Sequence, residues 1–249
     1  MSEGTFLHFG LIVSGRGEAQ FLPRLLRALT ADGRCTLAVL SRIGQTSPRQ
    51  EASLSKQDRQ GKTIPNRDEE WAIWARAYLS PPLEGDRPDR FVLLVDDLES
   101  VRAANQQAVY DRYRLALDTI LRPRALEARA AVHFLVMMLE AYYFGHAAAI
   151  NAVLGLDLAD EPGDVEAIEH PKNKLKTLYK GFDEVKHGRQ IVDRLDLAHV
   201  LSNPTTCASL RTLVAWCQKA KGVLFGDEFR LADGRLSDVT QGQLDALPG

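Results

Sequence analysis

The chain has 249 residues, 45% of them hydrophobic, with 31 Lys and Arg against 33 Asp and Glu and a formal net charge of -2 at pH 7. That length and apolar content suffice for one substantial core, or a core with a helical appendage, and no apolar stretch is long enough to cross a bilayer. The near-neutral balance excludes a protein that coats nucleic acid through a general positive field, and leaves local basic patches as the electrostatic route to phosphates.

The N-terminus lacks a basic region, a continuous apolar stretch and a small-residue cleavage site, so a cytoplasmic protein is expected. Cys35, Cys207 and Cys217 are three, scattered and without metal-ligand spacing, which reads as reduced, buried thiols.

In chain order, the apolar run from Phe6 to Val13 stops at Ser14-Gly15-Arg16-Gly17-Glu18, and a leucine-rich helical pattern runs from Phe21 to Leu29. This is a strand, a glycine turn and a helix, the unit that delivers polar groups to the C-terminal edge of a parallel sheet. Glu18 falls in the first helical turn, where the helix dipole favours a carboxylate. Cys35 to Ile43 reads as a second strand. Residues 44–67 lose periodicity and read as a long, mobile, basic loop. Gly61-Lys62-Thr63 within it is not a P-loop, because Lys56 stands where that pattern needs a glycine.

Glu69 to Leu79 predicts a helix whose Trp71, Trp74 and Tyr78 share one face, a stripe better explained by core packing than by base stacking. Phe91 to Val95 is an apolar run typical of a strand buried on both faces, followed directly by Asp96-Asp97-Leu98-Glu99. Val101 to Leu121 is predicted helical. Ala130 to Met138 is predicted as a buried strand leading through Leu139-Glu140-Ala141 into another helix. Strands alternating with helices give an α/β fold with a mostly parallel sheet. After the acidic stretch 157–164 the pattern is polar and helical, so the expected organisation is an α/β domain over 1–155, a helical region packed on it over 156–225 and an irregular tail over 226–249. Trp216 either marks a dimer face or completes the core.

Three acidic groups follow separate strands: Glu18, then Asp96, Asp97 and Glu99, then Glu140. Parallel topology brings such positions to one edge. A carboxylate-rich site poor in His and Cys suits Mg2+ or Mn2+, which polarise phosphoryl oxygens and activate water. Each carboxylate taken alone also fits a solvated helix cap. His133 reads as a core histidine, and neither His146 nor His187 has an identifiable partner. A dinucleotide fingerprint fails at Gln20. Lys172, Lys174, Lys176 and Lys180, near Lys186 and Arg189, form the clearest basic cluster.

The run Val13-Ser14-Gly15-Arg16-Gly17-Glu18, the group Asp96-Asp97-Leu98-Glu99, the segment from Met138 to His146 and the later one from Tyr179 to Leu197 together resemble a TOPRIM-like bacterial family of uncharacterised function, related to the OLD (overcoming lysogenization defect) nucleases. The resemblance covers about Leu7 to Trp216. It implies a TOPRIM-like sheet and metal-dependent phosphodiester cleavage in defence against phage or in DNA processing. Glu18 would match the second glutamate of a Glu-Gly-x-x-Glu motif, and Asp97 with Glu99, or Asp96 in the alternative register, the acidic pair. Glu140 would match the Glu-Ala-aromatic segment and Lys186 a basic position that neutralises phosphate charge. Nucleic acid and a neighbouring ATPase are the implied partners. The first glutamate of the motif is Ser14 here, a neutral and weak ligand. Either the chain is a non-catalytic binding or assembly subunit, or another carboxylate such as Glu140 supplies the missing charge. A nucleotide-processing enzyme using the same acidic edge is the third reading.

Overall fold

A computed structural model describes residues 6–44, 56–57, 63–64, 67–222 and 234–247. Its centre is a four-stranded, all-parallel sheet in the order β2-β1-β5-β6. The strands are β1 (Leu7–Val13), β2 (Cys35–Arg42), β5 (Arg90–Leu98) and β6 (Ala130–Val136), while β3 (Lys56–Gln57) and β4 (Thr63–Ile64) form a small antiparallel pair. The rest of the stretch expected as a basic loop lies outside the described residues. The helices are α1 (Arg16–Leu25), α2 (Arg67–Leu79), α3 (Ser100–Ala103), α4 (Gln106–Leu121), α5 (Ala147–Leu154), α6 (Pro171–Leu178), α7 (Lys186–Val192), α8 (Leu197–Val200) and α9 (Ala208–Ala220). The protein is therefore mixed α/β, with helices flanking a parallel sheet.

Alternation along the strands sorts the core into two layers. Phe91, Leu93 and Val95 of β5 join Phe9, Leu11 and Val13 of β1 beneath α1, α9 and the C-terminal helices. Val92, Leu94 and Leu98 face the opposite way, against α2 and α4. Trp71 and Tyr113 seal that second layer with ring centroids 5.4 Å apart. Of the aromatic stripe on α2, Trp71 is buried but Trp74 is 44% exposed, so only part of it serves the core. Trp216 is buried and stacks edge-on against Phe9 and Phe91, which assigns it to the core rather than to a surface.

Three boundaries differ from expectation. The helix read from Val101 to Leu121 breaks between α3 and α4, and β6 stops at Val136. The segment Leu139–His146 is a 3-10 helix that hands over to α5. The described tail, 234–247, is irregular apart from a 3-10 turn at Gln241–Leu244, yet it is packed, with Leu244 and Leu247 in the core. Its Gln243 completes the outer edge of β6: Oε1 accepts from the Val132 N–H and Nε2 donates to the Val132 carbonyl, both at 2.8 Å. A side-chain amide here supplies what a further strand would. Gln243→Ala is expected to lower stability by about 1–3 kcal/mol by stripping both partners from a buried peptide group. An unchanged denaturant midpoint would show that the edge does not need it.

Candidate functional site: a carboxylate-lined cavity at the C-terminal edge of the sheet

The sheet register fixes where the polar groups meet. Val13, the last residue of β1, lies opposite Val95 of β5, so Ser14 falls beside the Asp96–Asp97 step. The buried Ser14 hydroxyl accepts from the Asp97 backbone N–H at 3.2 Å, so this side chain ties two strand ends together.

Glu18 sits in the first turn of α1 and folds back over Gly15, the N-cap. A Cβ at Gly15 would lie 2.1 Å from Glu18 Oε2, so only glycine allows that carboxylate its place. Gly17 has nothing near its missing Cβ and carries no comparable constraint. Glu18 is 4% exposed, and its Oε2 is buried without a hydrogen-bond partner among the described residues. The Glu18 and Asp97 carboxyl groups both line the cavity and act on each other. Burial first, and then the neighbouring Glu18 carboxyl and the charge of Glu140, push the Asp97 carboxyl well above its ordinary range. Two carboxylates in contact out of water must share a proton or a cation.

Glu140 reaches the cavity through a strained turn. Met137 and Met138, just past β6, have φ of 56° and 76°, and Met138 has ψ of 166°, a combination that is normally reserved for glycine. The Met137 N–H donates to the Leu98 carbonyl at 2.8 Å, which holds the turn against the end of β5. Glu140 is largely buried, and its carboxyl is raised chiefly by burial, opposed by Lys172 at 3.9 Å. Burial and the nearby carboxylates Glu140, Asp97 and Glu18 also push the buried Tyr143 phenol up, keeping it a neutral donor.

These groups line a cavity of about 670 Å³ bounded by Ser14, Glu18, Asp97, Glu99, Glu140 and Lys172, with Arg16 and Glu184 at its margin. Glu99 reaches it from an exposed position. Asp96 does not line it. That residue points to the opposite face of β5, where Arg102 forms a buried ion pair with it and the Tyr113 hydroxyl donates to it at 2.8 Å. Lys186 is exposed and outside the lining; its backbone N–H donates to Asp183 at 2.6 Å. The ammonium at the cavity is that of Lys172, which the charge cluster contained but no motif singled out.

Much of the basic cluster is neutralised: Lys172 and Lys176 pair with Glu184, and Lys174 with Glu161. The histidines lie elsewhere. His133 is fully buried, neither ring nitrogen has a hydrogen-bond partner among the described residues, and burial lowers it to about 3. His146 accepts at Nδ1 from the Asp196 N–H, and His187 Nδ1 accepts from the Asp183 N–H.

As a donor set the cavity offers only hard oxygen ligands, and the buried, unpartnered Glu18 Oε2 beside Asp97 is the kind of atom a hard cation satisfies. Among the described residues, no three Asp, Glu, His or Cys side chains stand close enough together to hold an ion as they are. Mg2+ is commonly held by one or two carboxylates with water and substrate oxygens completing its shell, so the Glu18–Asp97 pair fits that mode in donor type and charge.

Fold and cavity together define a parallel α/β protein with a buried carboxylate pair at the C-terminal edge of its sheet. Residues 13–216 match the family described as a domain of unknown function (DUF4276), and the chain belongs to that family. Among solved structures it is similar to the C-terminal region of the Burkholderia pseudomallei OLD protein, at 13% identity and a TM-score of 0.34, over 86% of this chain and 98% of that one. No curated protein matches the chain.

Proposed function

We propose that the protein is a metal-dependent phosphodiesterase acting on nucleic acid, a nuclease component of a bacterial defence or DNA-processing system that works in the cytoplasm beside an ATPase. The observation that carries this reading is the Glu18–Asp97 pair, two neighbouring carboxyl groups buried at the edge where three strands deliver polar residues. Glu18 Oε2 and Asp97 would hold Mg2+ or Mn2+, with Glu140 and Glu99 adding negative charge to the same cavity. Bound there, the ion would polarise a phosphoryl oxygen and lower the pKa of attacking water. The chain's own contribution is to give up the proton that burial favours on Asp97, to keep Asp97 in register through Ser14, and to exclude bulk water by burial of the pair.

Ser14 favours a second reading. Its hydroxyl is spent on the Asp97 N–H, and it adds no negative charge to the cavity. A binding or assembly subunit that keeps the scaffold without the chemistry would look the same.

Cleavage of plasmid and single-stranded substrates in Mn2+ and Mg2+ separates the two. A nuclease cleaves as wild type and loses cleavage in Glu18→Gln. A wild type inert in both ions removes the nuclease reading, and gain of metal-dependent cleavage in Ser14→Glu then identifies a scaffold that lost its ligand. Turnover of free nucleotides without strand cleavage would move the assignment to nucleotide processing.

A further inference from the structure

At the rim of the cavity, Lys172 and Lys176 stand one turn apart on α6, and both hold the same carboxylate. Lys172 Nζ is 3.2 Å from Glu184 Oε2, and Lys176 Nζ is 3.0 Å from Glu184 Oε1. Lys174, between them in sequence, is turned away, with its ammonium 4.6 Å from the Phe144 ring centroid and 2.8 Å from Glu161. Spacing of four residues puts Lys172 and Lys176 on one helix face.

Glu184 lies between α6 and α7, on the segment that follows the helix it binds. Its two oxygens are each gripped by a separate ammonium group, an arrangement that a phosphate with two free oxygens reproduces. The side chains of Lys176 and Glu184 are 48% and 41% exposed, so the carboxylate can leave and an anion can enter without opening the core. Lys172 also faces inward, 3.9 Å from Glu140, which places the pair next to the carboxylates where cleavage is proposed.

We propose that Lys172 and Lys176 are a phosphate clamp for a nucleic-acid strand crossing the cavity, and that Glu184 occupies the clamp in the free protein as an internal competitor. The strand assignment rests on the nuclease reading above; the clamp itself rests on the geometry. A phosphate entering the clamp displaces Glu184, so its binding free energy is reduced by the loss of two ion pairs, and the competition weakens binding of every strand that uses the clamp.

The test is fluorescence anisotropy of a labelled single-stranded oligonucleotide in EDTA, which keeps divalent cations and cleavage out of the measurement. Lys172→Gln and Lys176→Gln should each weaken binding and reduce the slope of log affinity against log salt by about 0.7, the share of one single-strand phosphate contact. Lys176→Arg should restore both. Glu184→Gln should tighten binding about 3–10-fold, the scale of losing two competing surface pairs. Glu161→Gln removes an equal charge from Lys174, outside the clamp, and should tighten binding much less.

Lysine variants that bind with wild-type affinity and slope overturn the clamp, as does equal tightening by Glu161→Gln and Glu184→Gln, or a failure of all variants to bind. Displacement of the oligonucleotide by ATP at equal phosphate concentration overturns the strand assignment in favour of a free polyphosphate. The two proposals fail separately. Lysine-dependent binding with no cleavage in Mn2+ leaves the clamp and removes the nuclease, whereas cleavage insensitive to both lysines does the reverse.

Discussion

Arg102→Ala should destabilise the fold by about 3–5 kcal/mol, because it leaves the Asp96 carboxylate buried without its cation. Asp96 is fully buried on the α4 side of β5, and among the described residues its polar contacts are the Arg102 guanidinium and the Tyr113 hydroxyl. Arg102 also donates to the Asp97 carbonyl at 2.9 Å, so one side chain neutralises the inner carboxylate and anchors the strand end that carries the outer one. For a chain of this size the loss corresponds to a fall in melting temperature of roughly 6–20 °C. The double variant Asp96→Asn with Arg102→Leu should recover most of it, since it removes both charges and keeps an acceptor for Tyr113. A single variant that melts with wild type would mean that the pair has no structural weight.

The different fates of Asp96 and Asp97 show how much of this site could be read without coordinates. Both follow the apolar run of β5, and their composition and position do not separate them. Strand alternation does: Phe91, Leu93, Val95 and Asp97 share one face, while Val92, Leu94, Asp96 and Leu98 share the other. Once α1 is placed on the first face, Asp97 belongs with Glu18 and Asp96 with α4. The convergence of Glu18, Asp97 and Glu140 on one edge was legible because parallel topology follows from the alternation of strands and helices.

Lys172 and Lys186 were not separable in this way. They lie on different short helices of the C-terminal region, and which one reaches the cavity depends on how α6 and the segment after it pack against the 3-10 helix carrying Glu140. Periodicity within a helix carries no such information. The strained Met137–Met138 turn was equally hidden. Nothing in two methionines signals positive φ, and the conformation is imposed by the hydrogen bond to Leu98 and the packing after β6. The role of Gln243 needed the sheet order, which makes β6 an edge. Gly15 and Gly17 were legible together as a glycine turn, but that the missing Cβ of Gly15 leaves room for the Glu18 carboxylate, while Gly17 carries no such constraint, depends on how the helix folds back over the strand end.

Asp97→Asn should move stability and activity in opposite directions. The Asp97 carboxyl is held above its ordinary value of 3.8 by burial and by Glu18, so the folded chain binds a proton that the unfolded chain releases. Stability from this group is complete below about pH 4 and is lost as pH rises through the folded value. In EDTA the wild type should therefore become less stable between pH 5 and 8. Asparagine offers Glu18 an N–H donor without the second charge. It should raise stability in EDTA by about 0.5–2 kcal/mol, with the gain larger at pH 8 than at pH 5.

Mn2+ reverses the comparison. An ion binding the wild-type pair takes the place of the proton, adding about 2.7 kcal/mol at a concentration 100 times its Kd. The variant should gain little from the ion, and under the proposed nuclease function its cleavage should fall about 100-fold or more. Thermal melts of both proteins across this pH range, with and without Mn2+, read all of these at once. Parallel stability profiles for the two proteins, unaffected by the ion, would mean that the carboxyl pair is an ordinary buried contact, and the metal-dependent reading of the cavity would fall with it.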